Sequence, residues 1–265
     1  MKYRADIAGL RAVAVLPILL FHAGVNSLPG GFVGVDIFFV ISGFLITGII
    51  VRELDQGRFT ITEFYRRRVA RIVPALVAML LVTLLAGYVV MLPSELAALG
   101  GSAAWASLFL SNVHFYMTAD YFGAAAETTP LLHTWSLAVE EQFYIFYPPL
   151  MMLLWRWRRV APRTAVAVVC LLSFAVALLL GQRGGSSLAA AFYLIPSRAW
   201  ELGLGALVAL GAFPVIASPR LRQGLAVLGL LAILVAIRVI HPGALFPAPL
   251  ALLPCLGAAL LIAYG

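Results

Sequence analysis

Charge is scarce in this chain: Asp, Glu, Lys and Arg make up 11% of its 265 residues, while 63% are hydrophobic and the mean hydropathy is +1.03. That balance excludes a soluble core as the destination of the apolar residues. At about 20 residues per membrane span, the length holds about eight spans and nothing more, so residues 1–265 read as one membrane domain. Cysteine is nearly absent. Cys170 and Cys255 both lie in apolar runs, which excludes a disulfide framework and argues against a metal site. Acids are outnumbered, 11 against 18 Lys and Arg, for a net charge of +7. The basic residues fall mostly between hydrophobic runs, where they set membrane orientation, so nucleic-acid binding is excluded as well. A cleavable leader is not expected, because Arg11 and Pro17 interrupt the first apolar run and no small-residue cleavage site closes it. No internal repeat is visible, which argues against a transporter built from inverted halves.

What is present alternates in order. Apolar spans are expected at about Ile7–Ala23, Phe32–Val51, Ile72–Leu92, Ser136–Leu154, Thr164–Leu180, Leu188–Leu210, Gln223–Ile240 and Pro249–Tyr264. Between the second and third lies the most charged stretch, Arg52 to Arg71, read as a cytoplasmic loop by the positive-inside rule. Arg156, Arg158, Arg159 and Arg163 mark a second inner loop, and Arg220 with Arg222 a third. Ser94–Phe115 is helical in pattern. If it crossed the membrane, the next basic loop would fall on the wrong side, so it is expected as one helix on the outer surface. The architecture expected is therefore an all-α polytopic bundle of about eight spans plus one outer-surface helix, with a cytoplasmic N-terminus.

Several polar residues sit where a bilayer should reject them. Arg11 and His22 lie eleven residues apart in the first span, within roughly 20° of one azimuth and roughly 16 Å apart along the axis. Ionisable groups at bilayer depth usually face a polar cavity or pathway; the alternative is that Arg11 snorkels to the headgroups and His22 rests near the far interface. Asp36 is either a helix N-terminal charge or a functional acid. His133-Thr134-Trp135-Ser136 leads into Glu140, Glu141 and Tyr144, where the two aromatic residues suit an interfacial belt and at most one of the adjacent acids points into a cavity. Arg198 and Glu201, three apart, can pair on one helix. These clusters are expected in the outer half of the bundle, with Arg68 and Arg71 at its cytoplasmic rim.

Taken in order, Arg11 with His22, the segment Gly31-Phe-Val-Gly-Val-Asp36-Ile-Phe-Phe-Val-Ile-Ser-Gly-Phe-Leu-Ile46, the Arg68-x-x-Arg71-x-x-Pro74 step, His133-Thr-Trp-Ser-Leu-x-Val-Glu-Glu-Gln-Phe-Tyr144 and Pro196-x-Arg198-x-Trp-Glu201-Leu-Gly203 resemble the acyltransferase-3 family of bacterial membrane O-acyltransferases. The resemblance is strongest to members that modify lipopolysaccharide O-antigen or other envelope glycans. It implies His22 and Arg11 as catalytic residues. It also implies a cytoplasmic acyl-CoA, usually acetyl-CoA, held by Arg68 and Arg71 with Arg67 beside them, and an envelope glycan as acceptor. Acyl-CoA would be a co-substrate, with no permanently bound cofactor or metal, in the bacterial inner membrane. Asp36, His133, Trp135, Glu140, Glu141, Tyr144, Arg198 and Glu201 are assigned to an acceptor or structural polar cluster. Members of this kind carry further C-terminal helices and often a hydrolase-like domain, so a C-terminally incomplete domain, with a partner supplying the remainder, is expected. The rival classes are a transporter or flippase using the same polar residues, and an inactive fragment.

Overall fold

A computed structural model describes residues 4–25, 27–118, 129–157, 160–241 and 246–265. Lys2, Arg158, Arg159 and part of the outer turn expected near 241–247 lie outside those residues. The described residues form eleven α-helices and no strand: α1 Ala5–His22, α2 Gly34–Asp55, α3 Ile61–Val90, α4 Pro93–Ser107, α5 Ser111–Thr118, α6 Thr134–Trp157, α7 Pro162–Arg183, α8 Ser186–Tyr193, α9 Ile195–Ala209, α10 Pro219–Val239 and α11 Leu252–Tyr264. A single 3-10 turn, Gly31–Val33, precedes α2. By length and composition α1, α2 with its leading turn, α3, α7 and α10 can each cross a membrane. Helix α6 is long enough but carries Glu140, Glu141 and Arg156. Helices α9 and α11 have 15 and 13 residues, α4 has 15, and α5 and α8 have 8 each. The helical membrane bundle expected from composition is the fold observed.

Helix α2 is the axis of the assembly: 61% of its spanning window is buried, against 17–22% for α1, α3, α7 and α10. It packs most extensively on α9, which in turn packs on α7, while α10 pairs with α11. Small residues allow these approaches. A Cβ at Gly43 would overlap the Leu202 carbonyl, and one at Gly205 would overlap the Val40 carbonyl. In a bilayer, where no hydrophobic force draws apolar helices together, such close backbone contact is what favours association.

Three expectations are corrected. The basic stretch from Arg52 to Arg71 is no loop: α2 runs to Asp55 and α3 starts at Ile61, leaving five residues between them. Glu63 pairs with Arg66 at 2.7 Å and with Arg67 at 3.9 Å, one turn along, so the charges support the helix start that they seemed to interrupt. Ser94–Phe115 is two helices and not one, because Phe109 adopts φ 55°, a left-handed conformation that ends α4 before α5 begins. The expected span Leu188–Leu210 is broken at Leu194, where Pro196 at the start of α9 removes a backbone donor.

Candidate functional site

Four helices each turn one face toward a common cavity of about 460 Å³. Arg4, Ala8 and Arg11 recur at four- and three-residue intervals from just before α1 into its second turn, and Ser42, Leu45, Ile46 and Ile49 do so along α2. Helix α3 contributes Arg68, Arg71 and Ile72; α6 contributes Leu137, Glu140 and Tyr144. The three- and four-residue recurrence makes each set one stripe of its helix. The site is therefore specified by periodicity in four separate segments.

At one wall of the cavity the Ser42 hydroxyl donates to Glu140 Oε1, which also accepts from the Tyr144 hydroxyl, and the two hydroxyls lie 2.7 Å apart. Arg68 closes the cluster. Its Nη2 donates to Glu141 Oε1 at 3.0 Å and lies 3.9 Å from Glu140, and its guanidinium sits 4.0 Å from the centroid of the Tyr144 ring. That pins α3 to α6 through a charge-assisted bond and a cation–π contact. Arg11 and Arg71 differ: among the described residues neither has an ion pair or a side-chain hydrogen bond. The cavity thus offers two uncommitted guanidinium groups to an incoming anion, beside two already engaged, Arg68 by Glu141 and Arg4 by Asp6.

The residues assigned together from sequence occupy four places. Arg11, Arg68, Arg71, Glu140 and Tyr144 line the cavity, and Glu141 stands behind Arg68. Arg67 lies outside it, with Nη2 donating to Glu53 at 2.9 Å. Asp36, Arg198 and Glu201 form a separate, fully buried triad. Arg198 Nη1 donates to Asp36 Oδ1 at 2.8 Å and to Glu201 Oε1 at 2.6 Å, its Nε donates to the Phe192 carbonyl at 2.9 Å, and the Trp135 and Phe192 rings stand 5.2 and 5.0 Å from its guanidinium carbon. The expected Arg198–Glu201 pair is present, with Asp36 as an additional partner.

Two placements are corrected here. Trp135 and Tyr144, each 2% exposed, belong to the core and not to an interfacial belt: Trp135 packs on Phe39, Phe192 and Tyr193, and Tyr144 seals the cavity. Glu140, Glu141 and Tyr144 do not gather with the outer cluster; Arg68 draws them toward the arginine-bearing start of α3.

His22 ends α1, exposed, on the far side of Pro17 from Arg11 and outside the cavity. Its Nδ1 lies 2.8 Å from the Ile18 carbonyl oxygen. That oxygen can only accept, so Nδ1 is the nitrogen that donates. His133, just before α6, is exposed, with neighbouring protein along part of its ring. Burial holds its pKa below the usual imidazole value; a backbone group of Pro130 draws it upward, and the nearby His22 adds to the lowering. His22 thus lies roughly 16 Å along α1 from Arg11.

Two polar cavity residues stand outside the sequence-based assignment. Ser42 is a hydroxyl inside an apolar run, and Arg4 precedes the first span; counting back from Arg11 by three and four residues reaches Ala8 and Arg4, which is the signal that finds the latter.

The chain matches the family described as "Acyltransferase domain" over residues 4–265. It is 33% identical over 212 residues to the peptidoglycan O-acetyltransferase OatA of Listeria monocytogenes, covering 78% of this chain and 34% of that protein. To YrhL of Bacillus subtilis it is 34% identical over 213 residues, covering 79% of this chain and 33% of the relative. The chain thus spans about a third of the length of these relatives. No solved structure matches it.

Proposed function

The chain belongs to the acyltransferase-3 family, and from that membership we propose that it transfers an acyl group, acetyl foremost, from cytoplasmic acyl-CoA to a hydroxyl of an envelope glycan across the bacterial inner membrane. The observation that carries this is the cavity itself: two free arginines, Arg11 and Arg71, face a buried hydroxyl–carboxylate cluster in a membrane helix bundle. Guanidinium forks suit the phosphates of a CoA donor. The donor rim is Arg68 and Arg71, with Arg68 positioning Glu141 and Tyr144; Arg67, committed to Glu53, has no part in it. The Listeria relative is named for peptidoglycan acetylation, which makes a peptidoglycan sugar the first acceptor to try and lipopolysaccharide O-antigen the second.

In this scheme a sugar hydroxyl reaches His22 at the end of α1. As the neutral imidazole, with Nδ1 donating to the Ile18 carbonyl, His22 offers its Nε2 lone pair, which takes the hydroxyl proton as the oxygen attacks the thioester carbonyl. The carbon–sulfur bond breaks, the new ester forms, and the thiolate recovers the proton from His22. Arg11 positions the donor or balances the charge that develops on the thioester. The acyl group has to cover the roughly 16 Å between Arg11 and His22, either on the pantetheine arm or by transient residence on His22.

General-base catalysis is worth roughly 10²–10⁴-fold, so His22→Ala should lower kcat for glycan acylation by at least about a hundredfold while CoA binding is retained. Full activity in that variant, inserted normally in the membrane, contradicts the assignment. A transporter using the same residues would leave no covalent acyl mark on glycan.

A further inference from the structure

The triad of Asp36, Arg198 and Glu201 lies outside the cavity, and its charges do not balance. Arg198 Nη1 serves both acids, at 2.8 Å from Asp36 Oδ1 and 2.6 Å from Glu201 Oε1, and neither acid has a second cationic partner among the described residues. All three side chains are 1% exposed or less, so in the fully ionised state they would bury one unpaired negative charge. Nothing around them offsets it. The rings of Phe39, Trp135, Phe192 and Phe246 stand 5.0–6.0 Å from the guanidinium carbon, and aromatic faces favour a cation, not an anion. On the helices packed around the triad, α11 brings the Cys255 thiol, α7 the Cys170 thiol against Gly203, and α8 the Tyr193 phenol, none of them a cation. Glu140 and Glu141 of α6 turn to Arg68, and Arg11 of α1 lines the cavity instead.

We propose that the triad is a proton-binding site sealed in the core of the bundle, with the proton on Glu201, so that α2 and α9 meet through a neutral cluster. Three observations carry it. A buried charge without a counter-charge neutralises, and two carboxyls competing for one guanidinium can do so by holding a proton between them. The second is a pair of orphaned atoms. Asp36 Oδ2 and Glu201 Oε2 are fully buried without a hydrogen-bond partner, although the two carboxyls stand within hydrogen-bond reach of each other. Two carboxylates can only accept; a hydroxyl on Glu201 supplies the missing donor. The third observation places the proton. Asp36 lies in the first turn of α2, where the helix dipole favours its charged form, whereas Glu201 lies nearly two turns inside α9. The inference does not depend on which group the chain transfers or to what acceptor.

The test is infrared spectroscopy of the purified chain in nanodiscs at neutral pH, reading the carbonyl band of a protonated carboxyl. The parent should show such a band, and it should shift when the protein is made with isotope-labelled glutamate. It should be lost in Glu201→Gln, an isostere of the protonated acid. It should also be lost in Asp36→Asn, because one acid against one arginine is already neutral and Glu201 then ionises. Melting supplies a second reading. Each single variant leaves a neutral cluster and should melt close to the parent, whereas the double variant Asp36→Asn/Glu201→Gln strands the buried Arg198 charge and should melt well below both. A parent without the band, or with a band that glutamate labelling does not shift, overturns the inference. So does a band that is unchanged in either single variant, or a double variant that melts with the single ones. Should Asp36→Asn fail to fold, the labelled parent and Glu201→Gln still decide the matter.

Discussion

Arg11, Arg68 and Arg71 line one cavity but differ in what already holds them. Arg68 is engaged by Glu141, by Glu140 more distantly and by the Tyr144 ring, whereas Arg11 and Arg71 have no ion pair among the described residues. Removing either free arginine should therefore raise the donor KM about tenfold or more with little change in thermal stability. Arg68→Ala should lower stability as well, since it strips the partner from Glu141, only 12% exposed; melting of the three variants in detergent beside their donor kinetics separates the two behaviours. Arg198→Ala is a different case. It would leave Asp36 and Glu201 facing each other, fully buried, and breaking such a cluster costs about 3–5 kcal/mol. Loss of folded protein is expected there, and a melting temperature equal to the parent's would show that the triad does not hold α2 to α9. At this scale the sequence was partly legible. Arg198 and Glu201 are three residues apart, so their pairing is written in local spacing, but Asp36 is 162 residues away and no spacing rule reaches that far. Likewise Arg11 and His22 share a face by counting, yet only the packing of α2, α3 and α6 decides that the cavity takes one and leaves the other outside.

Among the elements, α2 is the part on which the others depend. Its Gly43 and its partner Gly205 on α9 let the two backbones touch, next to the Ser42 hydroxyl that donates to Glu140 of α6. Gly43→Ala and Gly205→Ala should each cost about 1–3 kcal/mol, the usual penalty of overpacking, because the atoms in the way are backbone carbonyls that cannot rotate aside. Gly224→Ala on α10, with no atom near the new methyl, is the control and should be neutral or slightly stabilising. Equal melting of all three would mean that the α2–α9 contact is looser than described. Element positions were readable from hydropathy to within a few residues for the apolar spans. The failures came where charge or one backbone angle overrode it: the arginines that begin α3 support helix and not loop, and Phe109 divides the outer helix through a left-handed φ that no periodicity announces.

For the molecule as a whole, the polar side chains are divided among a cavity floored by arginines, a fully buried triad that ties α2 to α9, and His22 at the opposite end of α1. The proposed transfer across a membrane needs such a division, because in that scheme donor and acceptor arrive from different sides. The most direct measurement is transfer of label from radiolabelled acetyl-CoA to envelope glycan in membranes carrying this chain, beside membranes carrying His22→Ala or Arg71→Ala. Label should appear in the glycan with the parent chain, vanish with His22→Ala at every donor concentration, and return with Arg71→Ala when the donor is raised. Label that persists in His22→Ala, or its absence with a stably inserted parent chain, would contradict the central claim that these helices carry an acyl group from a cytoplasmic donor to an outer hydroxyl.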